Sequence, residues 1–192
     1  MGTLDDARGR FAERAVASGM VDVRYTTTDS PLGTLLLAAT DAGLVRVGFE
    51  AQGEDAVVEE LASRISPRVM RAPRPLDAVR RELDEYFAGT RRTFTLPLDW
   101  QLSHGYRLEV LRELAKVPFG TTESYASLAA ATSSPRAVRA VGSACSTNPI
   151  PIVVPCHRIV RADGQIGNYL GGRDAKIALL ALEGALGPDP AH

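Results

Sequence analysis

Apolar positions follow two different rhythms along the chain, and the change of rhythm divides it. Over residues 21–50 the pattern is strand-like. Leu35, Leu36, Leu37 and Ala38 form an apolar run, a turn follows at 41–43, and residues 44–49 alternate at period two. That combination predicts a β-hairpin. Helical spacing predicts an amphipathic helix over 3–18 that ends near Gly19, and two more over 54–65 and 76–87, the latter stopped by Gly89. The proline-bearing stretch 67–75 reads as a loop, and 94–98 as a short strand. Beyond a boundary at 99–105 the chain reads as mostly helical. A helix over 106–117 carries Leu108, Leu111 and Leu114 and is ended by Pro118 and Gly120. Others are expected over 124–131, from Pro135 to about Ser146 with a serine of the preceding turn as N-cap, and over 174–183 with Gly184 at C′. The class is α+β. The expected parts are a helical N-terminal extension over 1–20, one domain over 21–100, a second over 101–184 and a tail over 185–192.

Residues 148–160 read NPIPIVVPCHRIV and follow neither rhythm. Pro149, Pro151 and Pro155 remove backbone donors and fix φ, so neither an ordinary helix nor a central strand fits. The segment sets Cys156 beside His157. A thiol next to a base is the minimum equipment for a nucleophile, and the stiff backbone marks Cys156 as the group being held still. With two cysteines in 192 residues there is no disulfide framework, and a reducing, cytoplasmic setting is expected. No stretch is long and apolar enough to span a membrane, and the charged first residues do not read as a secretory signal. The net charge of −1 argues at first against nucleic acid. Yet residues 1–99 carry net −3 and residues 100–184 net +3, which permits a basic face on the second half.

The helix from Pro135 sharpens that possibility. Helical periodicity puts Val138, Val141, Gly142 and Cys145 on one side, a buried face, and Arg136, Arg139, Ala140 and Ser143 on the other. Two cations among very small side chains suit a close approach to a nucleic-acid groove, and the minor groove better than the major. An ordinary solvent-exposed helix face would carry the same residues. Cys145 falls on the apolar side and reads as a small buried hydrophobe. Cys145, Cys156 and His157 make a poor zinc set, since no C-x-x-C exists and the other histidines are His104 and His192.

Several motifs then fall in a recognisable order: FGTTESY (119–125), RAVG (139–142), NPIP (148–151), PCHR (155–158), GNYLGG (167–172) and LLALEG (179–184). Together they resemble the methylated-DNA–protein-cysteine methyltransferases, or O6-alkylguanine-DNA alkyltransferases, over roughly residues 21–184. The resemblance implies a ribonuclease-H-like N-terminal domain and a helical C-terminal domain with a winged helix-turn-helix. It implies binding to double-stranded DNA through the minor groove and flipping of an O6-alkylated guanine. One irreversible transfer of the alkyl group to cysteine follows, with O4-alkylthymine as a further substrate and no cofactor or metal. A monomer that binds DNA, with cooperativity open, and no membrane partner are expected.

Residue by residue, the resemblance makes Cys156 the alkyl acceptor, His157 the base acting through a bridging water, Glu183 the group that orients it, and Asn148 a support for the active-site turn. Neighbours on an extended backbone point to opposite sides, which already argues against direct contact between His157 and the Cys156 sulfur. A last-turn glutamate faces the negative end of its helix; by itself it reads as an exposed side chain, and the resemblance implies a buried partner for Glu183. Tyr125 is expected at the base pocket and Arg139 in the space left by the flipped guanine. Ser124, Arg136, Ala140, Gly142, Ser143 and Pro151 are further expected DNA or base contacts, and the Ile159 carbonyl a reader of the guanine amino group. Arg158 is expected to tie loops together. Leu170 stands where many relatives have a serine or another small residue, and a bulkier side chain there narrows a pocket for large alkyl groups. Three other readings stay open: a non-catalytic lesion sensor, against which Cys156 argues; a Cys-His hydrolase; and a winged-helix regulator, which leaves the Pro-Cys-His-Arg segment without a purpose.

Overall fold

The apolar run at 35–38 forms the centre of a four-stranded sheet in the computed structural model, which describes residues 2–186, for 2–6 and 8 the backbone only. The sheet consists of β1 (Val23–Thr28), β2 (Leu35–Thr40), β3 (Gly43–Phe49) and β4 (Val69–Arg71), in the order β3-β2-β1-β4. β1–β2 and β2–β3 are antiparallel, and β1–β4 is parallel. The expected hairpin is β2–β3, with a register shift between Ala38 and Ala39. Leu36, Ala38 and Val45 pack with Val57 and Leu61 of α2 (Glu54–Arg64) and with Leu102. α1 (Gly2–Ala17) buries Ala12 and Ala15 and leaves Phe11 exposed.

Two local expectations fail here, each beside prolines. The stretch 67–75 holds β4, a three-residue strand at the sheet edge, where flanking prolines remove no needed ladder donor. Residues 94–98, expected as a strand, make only the isolated bridge Leu44–Leu98. Pro97 has no N–H to extend that pairing. Its carbonyl instead accepts the Leu44 N–H at 2.8 Å, close against Gly43, which has φ +138 and no room for a Cβ.

The chain divides into two compact units, and the division runs through a helix. α3 (Asp77–Phe87) starts in the first unit, which takes residues up to Asp84 together with Thr95–Leu102. Residues Glu85–Phe94 belong to the second unit with the described residues from Ser103 on, although the expected boundary gave them to the first. The second unit contains α4 (Gly105–Leu114), β5 (Glu123–Ser124), α5 (Tyr125–Ala130), α6 (Val138–Ser146), β6 (Ile159–Val160) and α7 (Arg173–Leu182). α5 and α6 pack on α4, and β5 pairs with β6 in parallel. α6 starts three residues later than expected, with Ala137 and not a serine as N-cap. The Ser133 hydroxyl donates to the Glu109 carboxylate at 2.7 Å, and the turn before the helix closes through the Ala137 N–H on the Ser134 carbonyl at 2.9 Å. Val138, placed on the buried face by periodicity, is 38% exposed because it opens the helix; Val141, Ala144 and Cys145 form the buried face. Of the expected tail, residues 187–192 lie outside the described residues.

Two helix ends in this unit close in the same way. After α3, the Gly89 N–H bonds the Tyr86 carbonyl and the Thr90 N–H bonds the Glu85 carbonyl. After α7, Gly184 bonds Ala181 and Ala185 bonds Leu180. Both are Schellman closures, and both need the positive φ that Gly89 (+73) and Gly184 (+68) supply. They fix the positions of Tyr86 and Glu183, two residues that meet in the site.

Candidate active site

Asn148 organises the proline segment. Its side-chain oxygen accepts the Ile150 N–H at 3.0 Å, and its Nδ2 donates to the Val154 carbonyl at 2.8 Å and to Cys156 Sγ at 3.2 Å. The loop closes on itself through Val154 N–H to the Ile150 carbonyl at 2.9 Å. At its apex Ile152 has φ +74, a conformation costly for a β-branched residue. The cost of such a conformation, about 1–3 kcal/mol, is borne only where the surroundings over-determine it. Here one amide and three prolines do so. The result is a rigid wall carrying the thiol.

Cys156 is 3% exposed, and burial pushes its thiol up to about 11, against the Asn148 amide and the charge of Lys176, which pull it down. At pH 7 a resting thiol of that strength is ionised in only about one molecule in ten thousand. The site therefore needs a base. His157 follows directly, but Cys156–Arg158 is a 3-10 turn and not the extended strand expected. Successive side chains diverge around that turn, so the divergence of the two side chains survives with a different cause.

His157 is fully buried, and its Nε2 lies 2.9 Å from Glu183 Oε1. Burial lowers the imidazole pKa, while the bond to Glu183 raises it. The net direction is down, so the ring is neutral at pH 7. Burial alone pushes the Glu183 carboxyl up. The donors from His157, Arg158 and Tyr86 outweigh it and hold the group down to about 2. An ionised carboxylate only accepts, so the proton of the neutral imidazole sits on Nε2. That leaves Nδ1, buried and bonded to no protein group, as the basic nitrogen.

Glu183 caps the C-terminus of α7, where the helix dipole opposes a negative charge. Five donors offset that. Besides His157, Arg158 clamps it through Nε to Oε2 (2.9 Å) and Nη2 to Oε1 (2.8 Å). The Tyr86 hydroxyl donates to Oε1 at 2.6 Å, and the Gly120 N–H to Oε2 at 3.3 Å. Arg158 also donates to the Val117 carbonyl at 2.5 Å, so it ties loops as expected while serving as the counter-charge of Glu183. Neither that pairing nor Tyr86 was visible in the motif. Lys176 was also missed: it is fully buried, with Nζ on the Ile159 carbonyl at 2.5 Å. One signal was available for both buried groups. Lys176 shares a helical face with Leu179 and Leu180, and Tyr86 shares one with Val79 and Leu83.

The structure brings Cys156, Asn148, His157 and Glu183 into one buried cluster and spreads the expected DNA contacts around it. Ser124 is the N-cap of α5, accepting the Ser127 N–H at 3.0 Å. Pairing of β5 with β6 ties that N-terminus to the residues just after Cys156. Tyr125, next in line, is half-buried, with its hydroxyl against Gly167, where a Cβ would sit 3.0 Å away. Burial raises its phenol pKa, and the charges of Cys145 and Cys156 add to the effect. Arg136, Arg139, Ala140 and Ser143 are exposed, and Gly142 is half-buried. Neither arginine forms an ion pair among the described residues. Leu170 is half-buried; Pro151 and Ile159 are buried, and the Ile159 carbonyl already accepts from Lys176. Cys145 is a buried free thiol, as expected for a small hydrophobe. Among the described residues no group of three His, Cys, Asp or Glu side chains could hold a metal ion.

Comparison with known proteins bears on most of the chain. Residues 105–185 match the DNA-binding domain of 6-O-methylguanine DNA methyltransferase, and residues 23–100 match its ribonuclease-like domain. The constitutive methylated-DNA–protein-cysteine methyltransferase of Bacillus subtilis is 38% identical over 165 residues, 83% of this chain and 94% of that protein. The Rattus norvegicus methylated-DNA–protein-cysteine methyltransferase is 39% identical over 181 residues, 88% of this chain and 86% of its own. The crystal structure of Mycobacterium tuberculosis OGT in complex with DNA superposes with a TM-score of 0.72 at 35% identity, covering 86% of this chain and 95% of that one. By both domains, and by similarity over 83% and 88% of its length to the two relatives, the chain belongs to the 6-O-methylguanine DNA methyltransferase family.

Proposed function

We propose that this protein repairs alkylated DNA by direct reversal, as a methylated-DNA–protein-cysteine methyltransferase that acts once. The observation that carries the reading is the Cys156 thiol bonded by Asn148 and followed by an imidazole whose Nε2 lies against the Glu183 carboxylate. Nδ1 of His157 takes the thiol proton through a bridging water. The thiolate attacks the alkyl carbon on guanine O6, and the S–C bond forms as the C–O6 bond breaks. Guanine keeps the bonding electron pair and returns to its keto form on taking up a proton. The product is a thioether, which no group of the site can cleave, so one molecule is consumed per lesion. O4-alkylthymine presents the same chemistry.

A thiol 3% exposed cannot meet a base inside a stacked duplex, so the target leaves the stack. α6 and the turn before it approach the minor groove, with Arg136 from the turn and Ala140, Gly142 and Ser143 from the helix, and Arg139 fills the space left by the guanine. Ser124 and Tyr125 help rotate the nucleotide. Pro151, the Ile159 carbonyl and Leu170 line its pocket, with Leu170 narrowing the space for large alkyl groups. The protein acts on duplex DNA as a monomer in the cytoplasm; no helix among the described residues is long and apolar enough to cross a membrane.

Incubation with duplex DNA containing O6-methylguanine, followed by peptide mass spectrometry, tests the reading. One methyl mass on the Cys156 peptide, at one equivalent per molecule, is expected. An unmodified protein, a methyl on Cys145, or continued turnover contradicts it.

A further inference from the structure

A single carboxylate oxygen in the site receives three donors, and one of them comes from outside every motif of the second half. Glu183 Oε1 accepts His157 Nε2 at 2.9 Å, Arg158 Nη2 at 2.8 Å and the Tyr86 hydroxyl at 2.6 Å. Tyr86 is fully buried. Its ring is set among Phe87, Phe94 and Phe119, with centroids 5.5, 5.2 and 6.2 Å away. The Schellman closure at Gly89 ends the helix one turn beyond it. Burial, then the Glu183 charge, raises the Tyr86 phenol pKa, so the phenol stays protonated and its hydroxyl serves as a donor to the carboxylate. Arg158 is committed to both Glu183 oxygens and to the Val117 carbonyl. Tyr86 is the only other side-chain hydroxyl bonded to Oε1 among the described residues.

We propose that Tyr86 is a positioning residue for alkyl transfer, whose hydroxyl sets how strongly Glu183 pulls on the His157 proton. This rests on the function proposed above. A carboxylate that shares its electrons with a short phenol bond is a weaker base. It therefore polarises the Nε2–H of His157 less, and Nδ1 stays uncharged and able to accept a proton. Without the phenol, Glu183 pulls harder, the imidazole becomes more basic, and at a given pH more of it is protonated and useless as a base. The other groups facing this pair are Arg158 on its own turn, Lys176 of α7, the Cys156 thiol, and Tyr169, whose ring meets the imidazole edge-on at 6.2 Å. Of these, Arg158 and Tyr169 also interact with the Tyr86 phenol. A consequence for architecture follows: the stretch Glu85–Phe94 supplies a working part of the second unit's site, although it precedes that unit's remaining chain by the length of an interposed segment.

The test is the pH profile of single-turnover transfer, together with an ¹⁵N NMR titration of the His157 ring, for the full-length protein and two variants. Tyr86→Phe keeps the ring and removes the donor. Its acid limb and its imidazole pKa are expected to move up by about one unit, a tenfold loss of competent imidazole below the limb. Site-specific 3-fluorotyrosine at position 86 is a stronger donor and is expected to move both down. An unshifted limb and an unshifted imidazole in the folded variants overturn the proposal, whatever the loss of rate, because that pattern marks a merely structural role. If Tyr86→Phe does not fold, the direction of the fluorotyrosine shift decides. The NMR arm needs no DNA. An imidazole shift in a protein that never transfers methyl contradicts the function and not Tyr86; transfer with no shift does the reverse.

Discussion

The chain carries two free thiols, both buried, and only one is equipped to react. Cys145 lies on the inner face of α6, where burial, and then the charge of Cys156, pushes it up to about 12. Cys156 is buried more deeply and yet rises only to about 11. Both feel Lys176, so that cation does not separate them. What separates them is the Asn148 amide at 3.2 Å and the neighbouring imidazole with its proton held by Glu183. The lesson is that burial alone makes a thiol inert. The proposed reactivity rests on one donor aimed at the sulfur and one base whose tautomer is fixed from behind.

The sharpest break of that comparison is to exchange the two. Cys156→Ala is expected to abolish transfer while leaving duplex binding within a few-fold, and Cys145→Ala to leave transfer within about twofold, since it removes a small buried group outside the relay. Trapping of labelled methyl on each variant checks this. Next in size is Glu183→Gln, which disarms the base and strands Arg158. Single-turnover rate is expected to fall by about a hundredfold or more. Denaturant unfolding is expected to show a loss of about 3–5 kcal/mol from the unpaired buried cation. Asn148→Asp replaces the donor by a charge beside the sulfur. Slower transfer by roughly one to two orders of magnitude is expected, with about 1–3 kcal/mol of stability lost from the loop bonds; Asn148→Ala should be milder in rate.

Acid sensitivity reads on stability alone. The Glu183 carboxyl falls from 4.5 to about 2 on folding, so its contribution is complete above pH 4.5 and is lost as the pH drops to 2. The shift corresponds to about 3 kcal/mol over that window. The thiols act in the opposite sense, since both are raised: their contribution holds below pH 9 and is lost as the pH rises through about 11 and 12. Unfolding free energies across both windows, compared with Glu183→Gln in acid, separate the carboxylate from the thiols.

How much of this could be read from residue order depends on how local each feature is. The hairpin β2–β3, the closing glycine of α7 and the thiol with its base are local in sequence, and their patterns were plain. β4 and the loss of a strand at 94–98 were not, because edge strands and single bridges are decided by what lies beside them. The late start of α6 follows a turn closed by the Ala137 N–H on the Ser134 carbonyl, where a serine and a proline had read as a helix start. The site divides in the same way. Cys156, His157, Asn148 and Glu183 were visible because a family motif carries them. Arg158 as the counter-charge of Glu183, and Tyr86 ninety-seven residues before its partner, needed three dimensions. Their helical faces said that Tyr86 and Lys176 were buried, but not what they met.

The account turns on one proton. An ¹⁵N NMR spectrum of the resting protein at neutral pH, with His157 assigned against a His157→Gln variant, reports which ring nitrogen holds it. The geometry predicts a neutral imidazole protonated on Nε2, with an unprotonated Nδ1. A proton found on Nδ1, or a doubly protonated ring, would leave Cys156 without a base and contradict the distinction drawn between the two thiols.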